Sequence, residues 1–404
     1  MIWSGILIVA CLGGDPLYDP DPDHPWNAVH RVFYARRFSN GDVYEHEAAL
    51  DPPWSNWSRF YNDEQFHNHV TGVLDRFLKQ PEEEVERQPA LRRAILLRDL
   101  WPVFDAQTVQ DLAKTDTARV RQQVIRELVA KAMRRLELSK MEAQQLPDNL
   151  RVERERHTLP ATFDPKSPDS PFLPPDLFGE DGTWVPFVPR KQKIAARQHL
   201  SQAGFRSVFV PFVRVSADRQ ATVEALRRYS DRRNSVPFPD GTTMALMRRT
   251  ALPTASGEIL VTPLVESLQL VVVDQPQDRR FKFVMDRAAL FAGGRGLRAV
   301  TKDETLDAWG FGNLWGHEVK YDTDGDALVL GRFAGPASKG YSALSCAVCH
   351  PRKGRLFANS GLDSALVDEC RFDDQVRAIL SQKSESESWK VYQALRESSA
   401  RGPN

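Results

Sequence analysis

Arg206-Ser207-Val208-Phe209-Val210-Pro211-Phe212-Val213-Arg214-Val215 concentrates β-branched and aromatic side chains in one short run. That composition fits a strand on a half-buried pleated surface. Working outward, Thr242 to Met247, Glu258 to Val265, Leu268 to Val273 and Phe281 to Met285 carry the same signal. Pro-Asp-Gly at 239–241, Ala-Ser-Gly at 255–257 and Gln-Pro-Gln-Asp at 275–278 supply turn chemistry between them. One helix, capped by Asp218 and bearing Val223, Leu226 and Tyr229, interrupts the series, and a second, short one is expected within Asp286 to Ala299, ending near Gly293-Gly294. Strand and helix do not alternate here as they would in a doubly wound fold, so the reading is an antiparallel sheet.

Upstream the periodicity changes. From Asp63, the residues Phe66, Val70, Val73, Leu74, Phe77 and Leu78 fall on one helical face. Pro89 opens a helix with Leu91, Ile95, Leu96, Leu97 and Leu100, and Asp105 is placed to cap a short one carrying Val109 and Leu112. Thr115 to Gln145 is the longest helical stretch, with Val120, Val124, Leu128, Met133 and Leu136 as its expected buried stripe. Met133 and Met141 read as core fillers, and His67 and His69, two apart on a helix, point in different directions. Between helices and strands, Leu159 to Pro189 is rich in proline and in large apolar side chains. It reads as an arm packed along a surface.

The expected class is therefore α+β: a helical N-terminal domain, then a mainly antiparallel β domain. The boundaries drawn are 1–25 for a leader and tether, 26–158 for the helical domain and 159–199 for the proline-rich packed connection. The β domain takes 200–372 and a polar C-terminal tail 373–404, the residues beyond Cys370 reading as a helix with a loose end.

Lysine plus arginine and aspartate plus glutamate both number 54 among 404 residues, so no nucleic-acid partner is implied. Four cysteines exclude a disulfide-rich scaffold. No run of apolar residues is long enough for an ordinary membrane span. The start is nevertheless apolar and runs through Ile8-Val9-Ala10 into Cys11, then Gly13-Gly14-Asp15-Pro16. Small residues before a cysteine resemble the processing box of bacterial lipoproteins, although no lysine or arginine precedes the run. Cys11 is thus the candidate lipidation site, with another exported form and a buried first strand as the alternatives. Asp19-Pro20-Asp21-Pro22-Asp23 reads as part of a tether.

Cys346-Ala347-Val348-Cys349-His350 carries the chemistry. The C-x-x-C-H spacing is that of covalent haem attachment. Two thiols can reach two vinyl groups on one side of a porphyrin, and the adjacent histidine can swing under the iron as axial ligand. A redox dithiol would prefer a helix start after a strand, and Ser342-Ala343-Leu344-Ser345 is a poor buried strand. A zinc site would need two further ligands, and Cys370 is the only other late cysteine. Trp309, Phe311 and Trp315 are large rings close in sequence to the motif and suit a porphyrin wall or any core. His317 is a second candidate for the iron or for acid–base work over it. Met244, Met247 and Met285 are further possible axial ligands, but each is first of all a core residue.

Phe238-Pro239-Asp240-Gly241-Thr242, Phe283-Val284-Met285-Asp286, Trp309-Gly310-Phe311 and the terminal Cys346-Ala347-Val348-Cys349-His350 occur in this order. Over residues 200–365 the chain resembles the cytochrome P460 and cytochrome c′-beta family. The resemblance implies a mainly antiparallel β fold, secretion, a homodimer and a five-coordinate haem c held by Cys346, Cys349 and His350. It also implies nitric oxide binding, or hydroxylamine oxidation when a lysine is crosslinked to the porphyrin. No lysine lies between Lys193 and Lys282, which argues against that crosslink.

The expected function is an exported, periplasmic or extracytoplasmic mono-haem cytochrome, held to the membrane by an N-terminal lipid. It would bind a small diatomic ligand or carry out small-molecule redox chemistry. A six-coordinate electron-transfer cytochrome with a redox protein partner is the alternative, as is a haem-stabilised interaction module.

Overall fold

The computed structural model describes residues 17–37, 43–45, 57, 59–109, 113, 115–177, 182–189, 207–231, 238–274, 279–294, 296–300, 318–321, 327–330 and 367–400. The architecture is α+β: an N-terminal helical region, an antiparallel sheet, and two further helices at the C-terminal end.

The helical region contains α1 (Pro25–Tyr34), α2 (Arg59–Asn62), α3 (Glu64–Leu78), α4 (Glu82–Arg87), α5 (Ala90–Val109), α6 (Asp116–Leu136), α7 (Lys140–Gln144) and α8 (Asn149–Glu155). Their starts are chemically marked. Asp63 accepts from Phe66 N–H at 2.9 Å, Thr115 from Ala118 N–H at 3.2 Å and Asp148 from Arg151 N–H at 2.9 Å. Ser139 and Glu142 form a reciprocal capping box at α7. Such caps satisfy amide groups that the first helical turn leaves without partners. A short hairpin, β1 (Ala35–Arg37) and β2 (Val43–Glu45), follows α1.

The central helix is α5, buried along most of its length from Ala94 to Asp105. It runs on through Pro102, so Asp105 is an interior residue that accepts from Trp101 Nε1 at 3.1 Å and caps no separate helix. On α6 the buried side is Ala118, Ile125, Val129, Ala132, Met133 and Leu136, while Val120 and Val124 are exposed. The expected stripe was rotated because the real contact face is built partly from alanines, which carry little hydropathy signal. Met133 is buried and Met141 is exposed.

The sheet contains β3 (Val185–Pro189), β4 (Ser207–Arg214), β5 (Thr243–Pro253), β6 (Ile259–Val272), β7 (Arg279–Met285), β8 (Leu297–Ala299) and β11 (Val367–Glu369). Its order is β11-β3-β4-β5-β6-β7-β8, and every pairing is antiparallel. The hairpin of β9 (Glu318–Tyr321) and β10 (Ala327–Leu330) forms a separate two-stranded sheet. Among the described residues, α9 (Arg219–Asp231) follows β4 and α10 (Arg287–Phe291) follows β7. Gly257 closes the β5–β6 hairpin at φ +81°, a backbone state that a side chain disfavours.

One face of the sheet packs Val210, Met247, Leu268 and Phe283 against Phe172 and Leu177 of the proline-rich arm and against Ile379. Ile379 lies on α11 (Phe372–Ser384), which is followed by α12 (Glu387–Ala400). The polar segment read as one helix with a loose tail thus forms two packed helices. Trp389 and Tyr392 of α12 are buried in the core of the helical region, together with Leu252 and Leu264 of the sheet. Helices and sheet share that core, so the helical region does not bury its apolar faces separately.

Candidate functional site

In sequence the cysteine–histidine motif falls between the β9–β10 hairpin and β11, within the long connection from β8 to β11. β8 and Val300 precede it at one edge of the seven-stranded sheet, and β11 follows it at the opposite edge. Cys346, Cys349, His350, Trp309, Phe311 and His317 all lie outside the described residues, as does Cys11. The Asp322–Asp326 stretch also lies outside them; it joins β9 to β10, whose register pairs Tyr321 with Ala327.

The fit of a c-type haem rests on donor chemistry: two thiols for the vinyl carbons and one imidazole for the iron. Among the described residues, no group of three or more His, Cys, Asp or Glu could hold a metal. The candidate methionines divide among the core clusters. Met285 belongs to the core shared with the helices, Met247 to the sheet face under α11, and Met244 packs beside Val213 and Val223. Met244 and Met247 are three apart on β5 and take opposite faces, as strand alternation requires. Cys370 is free, and burial first, then Asp374 and Glu369, push its thiol up to about 12.

The described part contains a second, unexpected concentration of chemistry. Arg98 and Asp99 of α5, Arg248 of β5, Glu266 of β6 and Arg287 of α10 are all buried. Asp99 Oδ1 accepts from Arg98 at 2.5 Å and from Arg287 at 2.7 Å, while its Oδ2 accepts from the Tyr18 phenol at 3.1 Å. Glu266 accepts from Ser207 Oγ at 2.8 Å and Thr250 Oγ1 at 3.0 Å. It also binds Arg248 Nε at 2.5 Å and Arg98 Nε at 3.2 Å. Burial lowers the Arg98 guanidinium, but Glu266 and then Asp99 outweigh it and hold the group above its ordinary value. For Arg248 burial wins over Glu266, and the group falls to about 10.

His30 stacks on Tyr34, with ring centroids 4.8 Å apart, and points Nε2 toward Asp99. Burial is the main force lowering its pKa to about 4; Asp99 opposes, while Arg287 and Arg98 reinforce the fall. This network ties α1, α5 and α10 to β4, β5 and β6. Two register shifts in the β5–β6 pairing, on either side of Arg249, lie beside it.

The chain matches no family model, no curated protein and no solved structure.

The network was not singled out by sequence reasoning, although a signal exists. Arg98-Asp99 stands inside the apolar run from Ala94 to Trp101, and Glu266 inside Val265 to Leu270. A charge in a buried run calls for a partner from elsewhere in the chain.

Proposed function

We propose that this chain is an exported mono-haem c-type cytochrome, lipid-anchored through Cys11, that binds a small ligand such as nitric oxide or performs small-molecule redox chemistry. The observation that carries the reading is Cys346-Ala347-Val348-Cys349-His350. Bound haem c would supply a redox-active iron with one face available to a small ligand. Cys346 and Cys349 would each add an S–H across one vinyl group, forming two thioethers. His350 would hold the iron through its imidazole. Trp309 and Phe311 are the ring side chains proposed for the porphyrin wall, and His317 for the opposite side of the iron. The family resemblance over residues 200–365 supports the ligand-binding form, and the α+β architecture with its antiparallel sheet is compatible with it.

The deciding experiment is an absorption spectrum of haem-matured protein, ferric and ferrous, before and after nitric oxide. A high-spin ferrous form that takes up the gas establishes an open site. A low-spin form unchanged by the gas establishes a filled sixth position and an electron-transfer role. Haem released by acid–acetone extraction refutes covalent attachment.

A further inference from the structure

We propose that residues 17–34 form an acid-released latch: a proton taken up by the His30 imidazole unfastens this segment from α5 and α10 while the sheet stays folded. The device does not depend on the haem assignment.

The segment is tied together internally. Asn27 of α1 accepts from the Tyr18 N–H through Oδ1 at 2.7 Å, and its Nδ2 donates to the carbonyls of Asp19 at 2.8 Å and Asp21 at 2.7 Å. Arg31 adds a bond to the Pro22 carbonyl at 3.0 Å. The loop before α1 therefore moves with α1. None of these residues belongs to a strand, so the segment can part from the body without breaking a sheet pairing.

Two of its polar fastenings meet at one residue. The Tyr18 phenol donates to Asp99 Oδ2 at 3.1 Å, and the Tyr34 phenol donates to the Asp99 carbonyl at 2.9 Å. Aromatic contacts add to them: Tyr18 on Phe291, Trp26 on Phe77 and Phe33 on Phe60, with centroids 5.4, 5.7 and 5.9 Å apart.

His30 is buried at that same point. The charged and titratable groups facing it are Tyr18 from the loop, Arg31 and Tyr34 from α1, Arg98 and Asp99 from α5, and Arg287 from α10. Three guanidinium groups stand against one carboxylate. That carboxylate is already engaged, Oδ1 by Arg98 and Arg287 and Oδ2 by Tyr18. His30 Nε2 is 3.7 Å from Oδ2, beyond hydrogen-bond reach. An imidazolium in this volume is poorly compensated, whereas water solvates it once the segment has parted. Burial first of all holds the closed group at about 4, and solvated histidine titrates near 6.5. The proton can shift the equilibrium only by that difference in affinity. It amounts to about tenfold per pH unit and about 300-fold in all. At neutral pH the latch stays closed, because parting it exposes the buried side chains of Trp26, Val29 and Phe33.

The test is amide hydrogen exchange of the full chain in low urea between about pH 6.5 and pH 4, wild type against His30→Phe, with rates corrected for intrinsic exchange. A local opening exposes less surface than global unfolding and so has a smaller urea slope. Amides of α1 should exchange through such an opening, those of α6 and β5 through one of full slope. In the wild type the α1 opening should gain about tenfold per pH unit over His30→Phe. Exchange of α1 with the full urea slope throughout overturns the latch, since the segment then parts only with the whole fold. An equal acid response in His30→Phe overturns the role of His30. A His30 imidazole that titrates near its ordinary value in the closed wild type, read by nuclear magnetic resonance, overturns it without any variant.

Discussion

His30 Nε2 lies 3.7 Å from Asp99 Oδ2, yet the imidazole is held neutral. Desolvation opposes its charge, and Arg287 and Arg98 share the same small volume. The folded value of about 4 stands below the ordinary 6.5, so the unfolded chain binds more protons between those values. The stability that neutral His30 contributes is complete above the ordinary value and is lost as pH falls toward the folded one. Within that window the wild type should lose about tenfold in folding constant per pH unit relative to His30→Phe, which keeps a ring against Tyr34. Urea midpoints against pH for the two proteins check this; parallel curves would refute it.

Glu266 is fully buried among two guanidinium groups and two hydroxyls. Removing one member of such a set leaves uncompensated charge in the interior. Glu266→Ala should cost about 3–5 kcal/mol in urea unfolding. The triple change Glu266→Leu, Arg98→Met and Arg248→Met should cost less than the single one.

Asn149 stitches α8 to β6 and to Gly296, just before β8. Its Nδ2 donates to the Val265 carbonyl at 2.8 Å and the Gly296 carbonyl at 3.0 Å, and its Oδ1 accepts from Val265 N–H at 2.8 Å. Asn149→Leu should lose about 1–3 kcal/mol for each backbone group left without a partner. Faster amide exchange at Val265 in that variant is the local readout.

Trp389 stacks on Trp101 with centroids 5.9 Å apart, and Tyr392 donates to Glu137 Oε1 at 2.9 Å. Trp389→Ala should destabilise the protein by about 3–5 kcal/mol through the cavity it opens. The loss should appear in probes of α5 as well as of α12, because both helices line one core.

Cys346→Ser with Cys349→Ser should abolish haem that survives denaturation and acid extraction. His350→Ala should retain the covalent attachment and change the spin state. Pyridine haemochrome spectra of the two variants separate these outcomes, and covalent haem in the double variant would sink the assignment.

Much of the sheet was legible from local chemistry. The run at 206–215 became β4, and the turn residues Gly241 and Gly257 take positive φ where the chain reverses. β6 read as two strands because Glu266-Ser267 breaks the apolar sequence. It is one strand because Arg98 and Arg248 meet the charge from distant positions. Residues beyond Cys370 read as one helix with a loose tail; the second helix was hidden by its composition, since two large side chains, Trp389 and Tyr392, anchor an otherwise polar segment. The C-x-x-C-H motif is legible as spacing alone, and its residues lie outside those the structure describes.

β11 zips onto β3 at the far edge of the sheet, and α12 lies in the core with α5. The last segment of the chain is therefore fastened by interactions of its own and does not rely on the backbone that connects it to β8. A protease nick anywhere between Val300 and Val367 would leave two fragments that still behave as one particle. They would elute together and part only under denaturant, as the halves of a self-complementing split protein do.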